Sequence, residues 1–177
     1  MLQKRVAQVL LLAVALAALV PLPAARANEL YAAVGLGGKA GEPDFSDKRP
    51  TLTLGFEAER TWRFSLTSGD YEHDNNAAVE LETRIFGIER IWYYNLSKDV
   101  ALLGAFGPGL FQARVSNGAS ESSGSAFGIL ATGNLRVYLS QGFVDLGYHY
   151  RNAAVIINQS SFNGGYEAVA LGAGLRF

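Results

Sequence analysis

The chain has 177 residues, of which 49% are hydrophobic and 18% are charged, with a formal net charge of −1. This length allows one domain but not two large ones, and the high hydrophobic fraction excludes an intrinsically disordered chain. The absence of cysteine excludes a disulfide scaffold, a zinc ribbon and a cysteine nucleophile. Because the net charge is close to zero, no basic surface indicates nucleic acid, and we expect none among the partners.

The first residues have the three parts of a secretory signal peptide. Lys4 and Arg5 give a positive start, residues 9–20 form an unbroken run of Val, Leu and Ala, and residues 25–27 read A-x-A, a cleavage site. The apolar run is too short to cross the hydrocarbon core as a helix, which takes about 20 residues. We therefore expect a cleaved signal peptide (1–27) and a mature domain (28–177), exported from the cytoplasm.

Beyond residue 28 the sequence alternates with period two and shows no helical stripe. The pattern predicts eight strands, at residues 29–38, 51–59, 62–70, 78–94, 100–115, 126–139, 142–152 and 166–177. Tight connections at 59–61, 95–99 and 140–142 alternate with long polar ones at 39–50, 71–77, 116–125 and 153–165. Short turns alternating with longer external loops are typical of an even-stranded outer-membrane barrel. The predicted fold class is all-β, an eight-stranded antiparallel up-and-down transmembrane β-barrel with both termini in the periplasm.

Aromatic residues gather next to the tight turns and support the membrane interpretation. Trp62 follows the first turn, residues 92–94 (Trp-Tyr-Tyr) precede the second, and Tyr138 precedes the third. Amphipathic rings favour the membrane interface, so we expect an aromatic girdle on this rim.

Two residues interrupt the alternation and predict local irregularities. In strand 78–94 we assign the apolar residues to the lipid face, and Glu89 falls among them, which predicts a bulge or an interfacial position. Pro108 cannot donate a ladder hydrogen bond and predicts a bulge or bend in the fifth strand.

The opposite faces of the strands carry charges of both signs, which we assign to the lumen. The predicted network comprises Glu57, Glu59, Arg63, Glu80, Glu82, Arg84, Arg90, Arg136, Asp145, His149 and Arg151. An eight-stranded barrel is just wide enough for side chains to fill it, and unpaired charges there are costly. We expect a paired network that plugs the lumen, with a narrow proton or ion path as the alternative.

The last strand ends on an alternating apolar pattern and a terminal aromatic, Gly174-Leu-Arg-Phe177. This ending, together with residues 143–151, resembles the small OmpA/OmpX-like outer-membrane β-barrel domain. The resemblance implies recognition of Phe177 by the barrel assembly machinery.

A second resemblance concerns chemistry. Residues 149–153 and Glu167 are similar to the end of the lipid A deacylase barrels, whose motif is His-x-Ser-Asn with a later acid. The resemblance implies catalytic roles for His149, Asn152 and Glu167. However, Arg151 stands at the nucleophile position and cannot serve there, and His149 alternates with the apolar Tyr148 and Tyr150, which take the lipid face.

The sequence therefore predicts a monomeric integral protein of the outer membrane of a Gram-negative bacterium. Its expected role is structural or one of surface interaction through four external loops, in contact with outer-membrane lipids and lipopolysaccharide. The alternatives are a lipid A deacylase-like esterase and a narrow channel for small molecules, with a lateral opening near Pro108. We expect no cofactor and no metal, since only two histidines are present and they lie far apart.

Overall fold

The computed structural model describes residues 28–40 and 44–177, so the predicted signal peptide lies outside the described residues. Ten strands are found in this part of the chain: β1 (Glu29–Ala40), β2 (Phe45–Ala58), β3 (Trp62–His73), β4 (Asn76–Asn95), β5 (Val100–Ser116), β6 (Glu121–Tyr138), β7 (Gly142–Asn152), β8 (Ala154–Ile157), β9 (Ser160–Asn163) and β10 (Tyr166–Arg176). No helix within the described residues has the length and hydrophobicity needed to span a membrane.

Eight of the strands form one closed antiparallel barrel in the order β1-β10-β7-β6-β5-β4-β3-β2, with β2 pairing back to β1. The all-β class and the eight-stranded antiparallel barrel predicted from the sequence are confirmed. Residues 28 and 177 bond to each other at one end of the barrel, through Asn28 N to Phe177 O at 3.1 Å and the reciprocal bond at 3.0 Å. The three tight turns lie at this end, which we call the turn end, and the opposite end is called the loop end.

The strands reach further towards the loop end than the sequence predicted. For example, β2 begins at Phe45 instead of residue 51, and β6 begins at Glu121 instead of residue 126. The predicted loop 153–165 contains a hairpin, in which β8 pairs with β9. Asn158 and Gln159 turn this hairpin with positive φ angles of 49° and 68°, the backbone of a type I′ turn. Neither residue is glycine, so the sequence lacked the usual turn signal.

Burial divides every barrel strand between two faces. In β6, for example, Leu135 and Val137 are exposed while Asn134 and Arg136 are buried. Exposed large apolar side chains occur on the outer face of all eight strands, and charged and polar groups are buried inside. This arrangement is the inverse of a water-soluble protein, in which apolar residues fill the core and charges cover the surface.

The predicted faces of β4 are wrong. Leu81, Ile85 and Ile91 are nearly fully buried in the interior, and Glu89 is buried on the same face. The pairing of β4 with β5 keeps one register from Glu80 to Asn95, so no bulge occurs at Glu89. Leu81 and Ile85 face inward because the lumen is apolar towards the loop end, and Ile91 packs inside against Leu103 and Ala105.

Pro108 does not produce the predicted bulge. The register of β5 with β6 is constant from Val100 to Ser116, and Pro108 lies opposite Ile129. On the other side of β5 the register with β4 is also unchanged on passing Pro108. The missing N–H is tolerated without a shift of the chain.

Candidate functional site

The interior of the turn end is organised around one arginine. The Arg136 guanidinium is fully buried and makes a two-pronged contact with Asp145, with Nε–Oδ1 and Nη2–Oδ2 both at 2.7 Å. It also donates to Glu57 at 2.8 and 3.1 Å and to Glu29. Tyr93 completes the set, with its hydroxyl 3.1 Å from Arg136 Nη1. Three carboxylates therefore share one central cation.

A second arginine joins the cluster from β3, the strand next to that of Glu57. Arg63 lies opposite Glu57 in the β2–β3 ladder and donates to Glu57 Oε1 through Nε at 3.0 Å and Nη2 at 2.6 Å. The Tyr93 hydroxyl donates to the other Glu57 oxygen at 2.5 Å. Arg60 and Arg176, at the rim, each approach Glu29 to 3.8 Å. Charge-assisted bonds of this kind are the stronger hydrogen bonds of proteins, so the cluster links strands around most of the barrel circumference.

A smaller polar cluster lies at mid-height in the barrel. Thr132 donates to Glu89 at 2.9 Å and accepts from Arg151 at 3.1 Å, while Arg151 Nη1 lies 3.6 Å from Glu89. Arg151 also donates to the Ala131 carbonyl at 2.9 Å. His149, on the same strand as Arg151, is also buried in the interior.

Towards the loop end the interior becomes apolar. Phe111, Leu130 and Val155 are completely buried and pack with the remainder of a single cluster, formed by Phe45, Tyr71, Leu81, Ile85, Ala113, Ala153, Ile157, Tyr166 and Ala168. Val155 and Ile157 come from β8, which follows β7 after Ala153 and packs against β6. Gly124 of β6 makes this approach possible, because a Cβ there would lie 2.3 Å from the Ile156 carbonyl oxygen.

The structure divides the predicted lumen residues into two groups. Those it places inside the barrel are Glu57, Arg63, Arg136, Asp145, His149 and Arg151. Those it does not place there are Glu59, in the β2–β3 turn, and Glu80, Glu82, Arg84 and Arg90, on the outer side of β4. Arg90, for example, stacks over the ring of the exposed Trp62 at 5.3 Å.

Sequence reasoning missed two interior carboxylates, Glu29 and Glu89. Glu29 precedes the alternating residues of β1 and has the parity of Tyr31, which was the available signal. Glu89 lies on the face of its strand that was predicted to meet lipid, and it is in the interior because the two faces are the reverse of the prediction. Both carboxylates are fully buried.

The residues that resemble a lipid A deacylase site do not come together. His149 faces the lumen, whereas Asn152 and Glu167 lie on the outer side of the wall. There Asn152 donates to the Tyr150 hydroxyl at 2.7 Å, and Glu167 accepts from the Tyr148 hydroxyl. Because the barrel wall separates the histidine from the other two groups, they cannot act together on one substrate. Among the described residues there is also no group of three or more potential metal ligands.

No protein-family model matches the chain, and no curated protein sequence matches it. Solved structures do. Neisserial surface protein A (NspA) matches with a TM-score of 0.59 at 16% identity, over 85% of this chain and 96% of that one. Ail, the attachment invasion locus protein of Yersinia pestis, matches with a TM-score of 0.51 at 16% identity, over 86% and 100%. A major outer membrane protein from Thermus thermophilus matches with a TM-score of 0.52 at 14% identity, over 85% and 98%.

These likenesses show the fold, which is that of the small eight-stranded outer-membrane barrels. The resemblance drawn from the sequence to that class of barrel is confirmed. The second resemblance, to the lipid A deacylase barrels, is not supported.

Proposed function

We propose that this chain is an integral protein of the bacterial outer membrane whose filled lumen does not conduct and which acts at the cell surface through its loop end. The observation that carries the proposal is the polarity of the barrel, with apolar side chains outside and ion pairs inside. Trp62, Trp92 and Tyr94 are 44%, 56% and 69% exposed on the outer face near the turn end, where an aromatic girdle favours a membrane interface. The other two aromatics assigned to the girdle, Tyr93 and Tyr138, point inward instead. NspA, a surface protein by name, and the Thermus major outer membrane protein share the fold, as does the attachment invasion locus protein Ail.

The closed lumen is inferred from its two layers. At the turn end, the ion-paired side chains without solvent exposure are Arg63, Arg136, Glu29 and Glu57. At the loop end, Phe111, Leu130 and Val155 fill the barrel. An ion that crosses must break buried ion pairs and then pass a mainly apolar layer. Each step carries a desolvation cost of several kcal/mol, because a buried ion loses its water. This supports a structural or surface-interaction role in preference to the narrow channel.

Conductance separates these two functions. Purified folded protein is inserted into planar lipid bilayers, with a large porin as the positive control for insertion and detection. We expect no conductance steps above the lipid baseline. Reproducible ion-conducting steps that change when Arg136 is replaced would overturn the closed lumen.

An epitope-insertion experiment on intact cells tests the orientation of the barrel and its location in the outer membrane. Gly118, in the β5–β6 connection, has a positive φ of 78° and open space around it. We therefore expect the chain to tolerate an inserted epitope there. The control insertion follows Gln141, which is exposed in a tight turn at the opposite end. We expect antibody binding to intact cells only for the Gly118 insertion. Binding only for the Gln141 insertion would reverse the orientation, and binding for neither in cells that make the folded protein would contradict surface display.

At the loop end the proposed partners are outer-membrane lipids and lipopolysaccharide, and we propose a monomer because all eight barrel strands pair within one chain. A closed barrel leaves no free strand edge for a second copy.

A further inference from the structure

A line of very small residues crosses the barrel wall from β2 to β6. Its members are successive cross-strand partners that face inward: Gly55, Ser65, Gly87, Gly109 and Gly128. Inside the barrel the Leu130 side chain lies over this line. A Cβ would lie 2.8 Å from Leu130 at Gly87 and 2.5 Å from it at Gly109, so larger residues would collide with the core. Along this line little more than backbone separates the core from the outer surface.

An apolar groove of about 580 Å³ lies on the outer surface over the same line. Its walls are outward-facing side chains of neighbouring strands, including Phe64, Phe86, Ile88, Pro108, Leu110 and Phe127. Phe127 is 83% exposed, which would be costly in water and is favourable in contact with a hydrocarbon chain.

A second cavity of opposite character begins where the groove ends. It measures about 380 Å³ and lies on three of the strands that form the groove, β4, β5 and β6. Its polar lining comprises Glu82, Arg84, Gln112, Arg114, Ser123 and Ser125. Arg84, Gln112 and Ser125 are adjacent cross-strand partners. Each lies two residues from a groove residue on its own strand and on the same face, a separation of about 7 Å. The two cavities therefore form one continuous amphipathic surface.

The polar cavity has groups suited to both an anion and a sugar. Arg84 binds Glu82 at 2.8 Å and Arg114 binds Glu121 at 3.1 Å, but the two arginine side chains are 58% and 52% exposed. Since a guanidinium carries five N–H donors, each arginine retains donors for a phosphate oxygen. Gln112, Ser123, Ser125 and the carboxylates can exchange hydrogen bonds with hydroxyl groups. This combination favours a phosphorylated sugar head over the smaller head of a glycerophospholipid.

We propose that the groove and the polar cavity together hold one phosphorylated glycolipid of the outer leaflet. An acyl chain lies in the groove, a phosphate binds Arg84 and Arg114, and the sugar hydroxyls bind Gln112 and the two serines. This site rests on the proposed function, because it requires the loop end to face the outer leaflet. It adds a specific lipid and its binding residues to the general contact with lipopolysaccharide.

The test is native mass spectrometry of the full chain, purified in detergent micelles and titrated with single lipids. The probes are bis-phosphorylated lipid A, its fully dephosphorylated form, and phosphatidylglycerol. The test variant is R84Q/R114Q, which keeps the side chains polar and removes both charges. The control is R90Q, which removes an outward arginine of β4 that stacks on Trp62 outside the cavity. Heat-modifiable electrophoretic migration verifies that each variant is folded.

We expect R84Q/R114Q to weaken the binding of bis-phosphorylated lipid A by about tenfold or more, the effect of losing charge-assisted bonds, and R90Q to leave it unchanged. Dephosphorylated lipid A should bind to wild type as weakly as phosphorylated lipid A binds to R84Q/R114Q. Equal binding by wild type and R84Q/R114Q overturns the phosphate site. Phosphatidylglycerol that binds as tightly as lipid A overturns the glycolipid assignment.

A failure of this site differs from a failure of the proposed function. If the barrel does not conduct and its loop end lies at the cell surface, but it does not discriminate between the lipids, only the glycolipid site is overturned. If the loop end faces the periplasm, both the glycolipid site and the proposed function are overturned.

Discussion

Removal of Arg136 is the sharpest test of the idea that the interior is held by ion pairs. In an Arg136→Ala variant the three carboxylates are affected differently. Glu57 keeps Arg63 at 2.6 Å, and Glu29 keeps the more distant Arg60 at 3.8 Å. Asp145 loses the one arginine that pairs with it among the described residues and retains the Asn134 amide at 3.1 Å. The variant therefore leaves approximately one buried carboxylate without a cation.

We expect the free energy of unfolding to fall by about 3–5 kcal/mol, the cost of breaking one buried ion pair. The assay is urea unfolding of the protein folded into lipid vesicles, followed by fluorescence of Trp62 and Trp92. Both lie exposed on the outer wall, so their emission changes when they leave the lipid. Stability is taken from the midpoint and the slope of the transition.

Two further variants separate the charge from other effects. Arg90→Ala removes an outward arginine and should cost only about 1 kcal/mol or less, since it loses an exposed cation–π contact. Adding Asp145→Asn to Arg136→Ala removes the unpaired charge and should recover ~2 kcal/mol. A loss for Arg136→Ala no larger than that for Arg90→Ala, with no recovery in the double variant, would contradict a desolvated ion-pair cluster and indicate a hydrated interior.

Two more predictions concern packing, and the same urea assay measures both. Gly107→Ala should be strongly destabilising because its Cβ would lie 1.9 Å from the Ile88 carbonyl oxygen. Gly104→Ala on the same strand should be nearly neutral because its Cβ meets nothing within 4 Å. Equal effects of the two substitutions would contradict the close approach of β4 and β5. Leu130→Ala should cost about 2–5 kcal/mol as a cavity in the fully buried loop-end cluster, and more than Leu135→Ala, which is 40% exposed on the outer wall. A cost for Leu130→Ala below that of Leu135→Ala would show that the loop end is not a packed core.

The strand count, the tight turns and the approximate strand positions could be predicted because they depend on local sequence. Period-two alternation identifies a strand, and the alternation of short and long connections indicates an up-and-down barrel. Several strands were predicted to stop too early towards the loop end. For example, β2 reaches Phe45, beyond the predicted limit at residue 51. The polar residues there resemble loop residues, and their pairing with a neighbouring strand is not a local property. The β8–β9 hairpin was missed for a similar reason, because it is stabilised by burial of Val155 and Ile157 against other strands.

Local alternation is enough to predict that this chain forms an eight-stranded barrel and, for most strands, which residues share a face. Which face of β4 lies inside depends instead on contacts between strands. Alternation shows that a strand has two faces, but it does not show which of them faces the lumen. The usual rule, with polar residues inside and apolar residues outside, holds only along part of this barrel. Leu81 and Ile85 face inward because Phe111, Leu130 and Val155, from distant parts of the chain, make the loop-end lumen apolar. Arg84 faces outward, where the wall has passed from apolar to polar. The side chains that fill the lumen at a given height come from all the strands at that height, so the sequence of one strand does not show whether the lumen there is polar or apolar.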